Sequence, residues 1–196
     1  STPCLRSIQV HQHIPDVIMS NFNDFTFRQI EADTDIKPFD CGDPDLNGFL
    51  FDDAKKYLNE MLAVTYLLED SQAQKTVAYY CLLNDKIELN PEEKSKWNKL
   101  NRNIPNSKRH HAYPAVKIGR LGVSKEYAHQ NIGRMVLLQI KMIFSRMNLS
   151  GCRFITVDAY SQAVPFYEKC GFHYLSNKDE NDTTRAMYFD LMYYKK

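Results

Sequence analysis

This 196-residue chain predicts a mixed α/β (α+β) fold built on one central sheet, and three observations carry that expectation. Short runs rich in β-branched and aromatic residues alternate with longer runs whose apolar residues recur at helical spacing. Their order is strand, helix, three strands interrupted by a helical insertion, helix, strand, helix, two strands, a mixed pattern around a single sheet. Composition fits: 43% hydrophobic and 25% charged residues are ordinary globular values.

Taken in order, residues 1–24 are mixed and polar and read as an N-terminal extension to a domain over 25–196. FTFRQIE (25–31) alternates apolar and polar as a half-buried strand does. Asp43-Pro44-Asp45 is a helix start, with Asp43 as N-cap and Pro44 at the first helical position. Leu46, Phe49, Leu50, Ala54, Tyr57, Leu58 and Met61 follow at helical spacing and are expected to form one core face. AVTYLLE (63–69) and TVAYYCLLN (76–84) predict an antiparallel hairpin. A helical insertion at about 85–112 opens at Asn90-Pro91 and leads into the basic loop NIPNSKRHHAYP.

AVKIGRLGV (115–123) is a further strand. Ile132, Met135, Val136, Ile140, Ile143, Phe144 and Met147 then mark one face of a long amphipathic helix, ended by the segment Asn148 to Gly151. RFITVDA (153–159) is a buried strand. Ser161 is expected to cap a short helix holding Phe166 and Tyr167, with Pro165 in its first turn and Gly171 beyond its end. FHYLS and RAMYFDLMYY are the last two strands.

Charge is unevenly placed. Residues 1–98 hold 9 Lys+Arg against 17 Asp+Glu, whereas 99–196 hold 16 against 7, and the window 99–153 has a single acid, Glu126. Such a basic half points to a polyanionic ligand, or else the two halves neutralise each other across the fold. Five cysteines without a CxxC or framework spacing suggest reduced thiols and a cytoplasmic location. No apolar run approaches the ~18 residues that span a bilayer, and no basic-then-apolar signal pattern opens the chain, so no membrane association is expected. His11 and His13 lack a supporting Cys or carboxylate cluster, and no metal site is expected there.

The informative stretch runs from Leu121 through Val123 and His129-Gln130-Asn131-Ile132-Gly133 to Arg134, strand to turn to helix. A helix N-terminus after a strand presents unpaired N–H groups and a favourable dipole to an anion. Close approach of a pyrophosphate needs small residues or positive φ, which Gly133 offers, and Asn131 is the best substitute for glycine at a left-handed position. Some 35 residues later stands Phe166-Tyr167-Glu-Lys-Cys-Gly171-Phe172.

Together these motifs resemble the GNAT superfamily of acetyl-CoA-dependent N-acetyltransferases. FDCGDPDLNGFL with IGRLGV, VDAY and FYEKCGF is similar, more narrowly, to its toxin-type branch, whose members acetylate the α-amine of aminoacyl-tRNA. The resemblance implies a mostly antiparallel central sheet, flanked by helices, with a splayed edge that binds CoA. It implies that Leu121 and Val123 offer backbone groups to the pantetheine arm. His129, Gln130, Asn131, Ile132, Gly133 and Arg134 would cradle the pyrophosphate, and Tyr167 would act as general acid on the departing thiolate. Three positions depart from the family pattern: Ala128 replaces Gln or Arg, Asn131 replaces Gly, and Tyr160 replaces Asn. The implied partners are acetyl-CoA, an amine acceptor, an antitoxin protein and a second copy of the chain.

Direct attack needs a neutral amine. A lysine near pKa 10.4 is neutral in about 1 in 2,500 molecules at pH 7, an α-amine near 7.7–8.0 in roughly 1 in 6–10. AVKIGRLGV contributes Lys117 and Arg120 but no carboxylate, which favours a low-pKa acceptor or a base reached through water, with His110 and His111 as candidates. Arg120 either orients an anionic acceptor or blunts an exposed strand edge. Lys108 and Arg109, with Lys99 and Arg102, are either phosphate contacts to the acceptor or a solvated loop. Three functions stand: a toxin-like aminoacyl-tRNA acetyltransferase, an acetyltransferase for a small-molecule or protein amine, and a catalytically silent CoA-binding or partner-binding module.

Overall fold

Asp43 accepts hydrogen bonds from the backbone N–H groups of Asp45 and Leu46, and Pro44 follows it, so the first helix starts where the capping signal lies. The computed structural model describes residues 25–88, 90–102, 104–105, 110–147 and 150–194. The extension 1–24, with His11 and His13, lies outside the described residues, as do Lys108 and Arg109.

The elements are β1 (Phe25–Gln29), α1 (Pro44–Gly48), a π-helical turn (Phe49–Asp53), α2 (Ala54–Asn59), β2 (Val64–Asp70) and β3 (Lys75–Glu88). Then come a 3₁₀ turn (Pro91–Glu93), α3 (Lys94–Asn101), β4 (Ala112–Val123), α4 (Ile132–Arg146), β5 (Phe154–Tyr160), α5 (Val164–Lys169), β6 (His173–Tyr174) and β7 (Thr184–Asp190). The strands form a seven-stranded sheet in the order β1-β2-β3-β4-β5-β7-β6. All neighbours are antiparallel except β4 and β5.

On one face, α4 and α5 bury Ile132, Val136, Ile140 and Tyr167 against Val116, Ile118, Ile155 and Val157 of the central strands. On the other, Phe49, Leu50 and Ala54 pack with Leu67, Tyr79 and Cys81. A third cluster joins Leu100 of α3 to Tyr113 and Phe154. Among the described residues no helix is long and apolar enough to cross a membrane, and Cys41, Cys81, Cys152 and Cys170 are thiols.

Two local expectations are corrected. Met61 is 92% exposed and Tyr57 42%, so these two stay outside the core, whereas Leu58 between them still packs against it. Tyr57 packs edge-on against Phe49 at 5.4 Å on the rim of this cluster, and the helix ends at Asn59 before Met61 is reached. Ser161 does not cap α5: its hydroxyl donates to the Asp182 and Thr183 carbonyls in the β6–β7 connection, and Ala163 occupies the cap. Gly171, with φ +84°, ends α5 as a left-handed residue should.

Some of the opposed charge is neutralised between the halves. Asp40 pairs with Lys125 at 3.2 Å, Asp45 with Arg120 at 3.5 Å, and Glu92 with Lys178.

Candidate active site

β4 and β5 run side by side only where Ala115 to Ile118 faces Phe154 to Val157. Beyond that point β4 stays with β3 and β5 stays with β7, and the two strands part. Gly119 opens the gap. Ile118 pairs with Leu82 and Arg120 with Cys81, so Gly119 is an extra residue, and such a bulge bends its strand. A Cβ at Gly119 would lie 2.7 Å from Leu83 Cδ2. Among the described residues, the stretch from Gly119 to Val123 has no ladder partner on its β5 side, an edge inside the sheet that an extended ligand can join.

At the end of that edge, β4 turns into α4 around a cavity of about 490 Å³. Asn131 sits at the N-cap with φ 60° and ψ 13°, the left-handed conformation expected of it. His129 shares this region with φ 63°. These two residues aim the fifteen-residue α4 so that its first, unpaired N–H groups face the cavity. Arg134 and Lys169 add positive charge to the wall. A Cβ on Gly133 would stand 3.2 Å from Phe166 Cζ, so glycine keeps the helix close to the tyrosine-bearing segment. Leu121, Val123, His129, Asn131, Ile132, Gly133 and Arg134 thus come together, whereas the exposed Gln130 is not in the wall. An N-terminal helix dipole with two flanking cations fits a pyrophosphate.

Leu121 also borders a second cavity of about 610 Å³, which passes through the sheet where the strands part. Tyr167, Ile118 and Val157 line it on the α4/α5 side. The Tyr167 ring is held edge-on by Phe166 and Phe172, with centroids 5.1 and 5.3 Å away. Burial pushes its phenol above the ordinary value, with the Cys170 thiol adding in the same direction, so it remains a proton donor at neutral pH.

The opposite side of this cavity carries charge that the strand sequence alone did not reveal. Asp43 and Asp158 are in its wall, and the Asp158 carboxylate is ion-paired with Lys117. Arg120 lines it as well, donating to the Gly119 carbonyl at 2.9 Å and lying over the Phe49 ring at 5.4 Å. Its Asp45 partner also accepts from the Tyr160 hydroxyl at 3.3 Å. Arg120 is therefore turned into the site rather than blunting a free edge. His110 and His111 are in neither wall, and His110 stacks edge-on to Tyr113 at 6.3 Å instead. Asp158 lies within the VDAY motif, which was its only signal in the sequence. In the sequence Asp43 is legible only as a cap.

Residues 107–191 match the acetyltransferase (GNAT) domain family. No curated protein matches the chain in sequence. Among solved structures, one described as a bacterial toxin has a TM-score of 0.71 at 17% identity, covering 86% of this chain and 92% of its own. AtaT complexed with acetyl-methionyl-tRNAfMet has a TM-score of 0.70 at 25% identity, covering 88% and 98%. A mutant of the toxin AtaT bound to the C-terminus of the antitoxin AtaR and acetyl-CoA has a TM-score of 0.66 at 22% identity, covering 87% and 95%. These likenesses are likenesses of fold.

Proposed function

We propose that this chain, which carries a GNAT acetyltransferase domain, moves an acetyl group from acetyl-CoA to the α-amine of an aminoacyl-tRNA by direct attack. The observation that supports this most is the junction at Leu121. There the anion-binding start of α4 and a through-sheet cavity walled by Tyr167 meet along one unpaired strand edge.

In this proposal the backbone N–H groups at the start of α4, with Arg134 and Lys169, hold the pyrophosphate. The β4 edge at Leu121 and Val123 pairs with the pantetheine arm. Acetyl-CoA supplies an activated acyl carbon with a thiolate leaving group. The amine enters from the α1 side and its nitrogen bonds to the carbonyl carbon as the C–S bond breaks. Tyr167 gives its phenolic proton to the departing sulfur, and the proton shed by the attacking nitrogen restores the phenol through water.

Asn131 already has the backbone conformation a glycine would give, which weakens the case for a silent module. The tRNA acceptor is supported by the likeness to the tRNA-bound AtaT structure and by the excess basic charge over 99–153. An antitoxin protein is proposed as partner on the same likeness of fold.

The test is acetyl transfer from acetyl-CoA to charged tRNAs, methionine amide and spermidine, read by mass spectrometry. Acetylated aminoacyl-tRNA is the expected product. Acetylation of the small amines alone would move the acceptor to another class, and no transfer to any amine would overturn the enzymatic proposal.

A further inference from the structure

The geometry points to Asp158 as the residue that receives the acceptor's ammonium group, with Lys117 holding its place until the acceptor arrives. This rests on the acetyltransferase proposal above and assigns the acceptor half of that site.

Three observations carry it. First, Asp158 stands one residue past Val157, the last β5 residue paired to β4, so it sits at the lip of the gap between the strands. Tyr167 and Val157 belong to the α4/α5 side, where the cofactor cavity lies. Side chains alternate along a strand, so Asp158 points to the other face, beside α1. The donor and the amine therefore reach the same gap from opposite faces of the sheet.

Second, of the carboxylates in that wall Asp158 is the one whose partner is a flexible side chain rather than backbone. Among the described residues Asp43 is the other acid there, and its Oδ1 is committed to the N-cap of α1, at 2.9 Å from Asp45 N and 3.3 Å from Leu46 N. Asp45 is bound to Arg120 and Tyr160. Asp158 is tied through Oδ2 to one lysine, and its side chain is 51% exposed.

Third, the group already on Asp158 is a primary ammonium. Lys117 Nζ contacts its Oδ2 inside the cavity. An acceptor –NH₃⁺ has the same charge and donor geometry, and exchange for a long, flexible lysine leaves the carboxylate paired. Arg120 cannot serve as this exchangeable cation, because its guanidinium is held by Asp45, the Gly119 carbonyl and the Phe49 ring. Asp158 thereby selects a cationic amine at the solvent-exposed lip of the gap, where the ammonium gives one proton to water before the neutral amine attacks the acyl carbon, while Lys117 competes for the carboxylate.

The two residues have opposite expected effects, which a purely structural ion pair does not produce. The acceptor is the amine from the charged-tRNA, methionine amide and spermidine panel that the wild type acetylates best. Asp158→Asn is expected to raise its KM tenfold or more, with the thermal shift given by acetyl-CoA unchanged. Lys117→Met is expected to lower that KM by severalfold. An unchanged acceptor KM in Asp158→Asn overturns the assignment, and so does a raised KM in Lys117→Met, which would make the pair a structural tie. If the wild type acetylates no amine in the panel, the acetyltransferase proposal falls, and this one with it.

Discussion

Tyr160 donates its hydroxyl hydrogen to the Asp45 carboxylate at 3.3 Å, joining the free end of β5 to the first turn of α1. Asp45 also meets Arg120 at 3.5 Å, so three side chains bridge α1, β4 and β5 beside the cavity. The position where the family pattern has an asparagine is thus used here to tie two elements. Tyr160 is 36% exposed, and a long polar contact between exposed groups contributes little to stability. Tyr160→Phe is expected to change unfolding free energy by less than ~0.5 kcal/mol in a urea titration. It should also leave the acetyl-CoA thermal shift intact, and a loss of that shift would instead assign the hydroxyl to the cofactor.

Asn131 is the second departure with a structural answer. At φ 60° a non-glycine residue is normally disfavoured, and asparagine is among the few that accept the conformation. Asn131→Gly is expected to hold stability within about 0.5 kcal/mol and to bind acetyl-CoA as the wild type does. Asn131→Val should cost roughly 1–2 kcal/mol and reduce the acetyl-CoA thermal shift, because a β-branched residue forces the start of α4 to move. Equal behaviour of the two variants, measured by urea unfolding and thermal shift, would contradict a backbone role for this residue.

What the sequence revealed was local. The Asp43-Pro44 cap, the positive φ at Asn131 and Gly171, and the buried stripe of Ile132, Val136 and Ile140 each follow from neighbours a turn away. The positive φ of His129, a residue placed in the cradle by motif alone, has no such local signal, although histidine is one of the residue types enriched there. The π turn at Phe49–Asp53 has no periodic signature, because it breaks the period by which helices are recognised, and Met61 lies beyond a helix end at Asn59 that the apolar spacing does not mark. Asp43 and Asp158 enter the site only because β4 and β5, joined through α4, are parallel and then part. No local pattern encodes where two such strands separate. Ser161 likewise has a capping residue's chemistry but finds better acceptors in the Asp182 and Thr183 carbonyls.

Tyr167→Phe keeps the ring against Phe166 and Phe172 and removes only the hydroxyl. Turnover is expected to fall ~10²-fold or more, with little change in melting temperature or in the acetyl-CoA shift. The pH profile gives a second check. Burial holds the phenol above its ordinary value of 10, so its protonated form persists through the neutral and mildly alkaline range. Wild-type activity should therefore show no alkaline fall attributable to this group below about pH 10. Unchanged turnover in Tyr167→Phe would remove it from the general-acid role.

Lys141 offers a test of the packing behind the site. Its ammonium lies 3.8 Å from the Phe189 ring centroid and 5.2 Å from that of Phe172, and it donates to the Cys170 carbonyl. Burial is the main reason its pKa falls from 10.5 to about 8, with the charge of Arg134 acting in the same direction and the Cys170 thiol opposing. A lysine whose folded value is lowered is penalised while protonated. Below about pH 8 both folded and unfolded states hold the proton, and the penalty is complete. Between about 8 and 10.5 the unfolded chain keeps the proton and the folded one does not, so stability rises with pH through that window. Lys141→Met has no proton to release there, while the rest of the chain titrates alike in both proteins. The melting temperature of the wild type minus that of Lys141→Met should therefore increase between pH 7.5 and about 10. A flat or falling difference would mean that the ammonium is solvated rather than held in the aromatic cage.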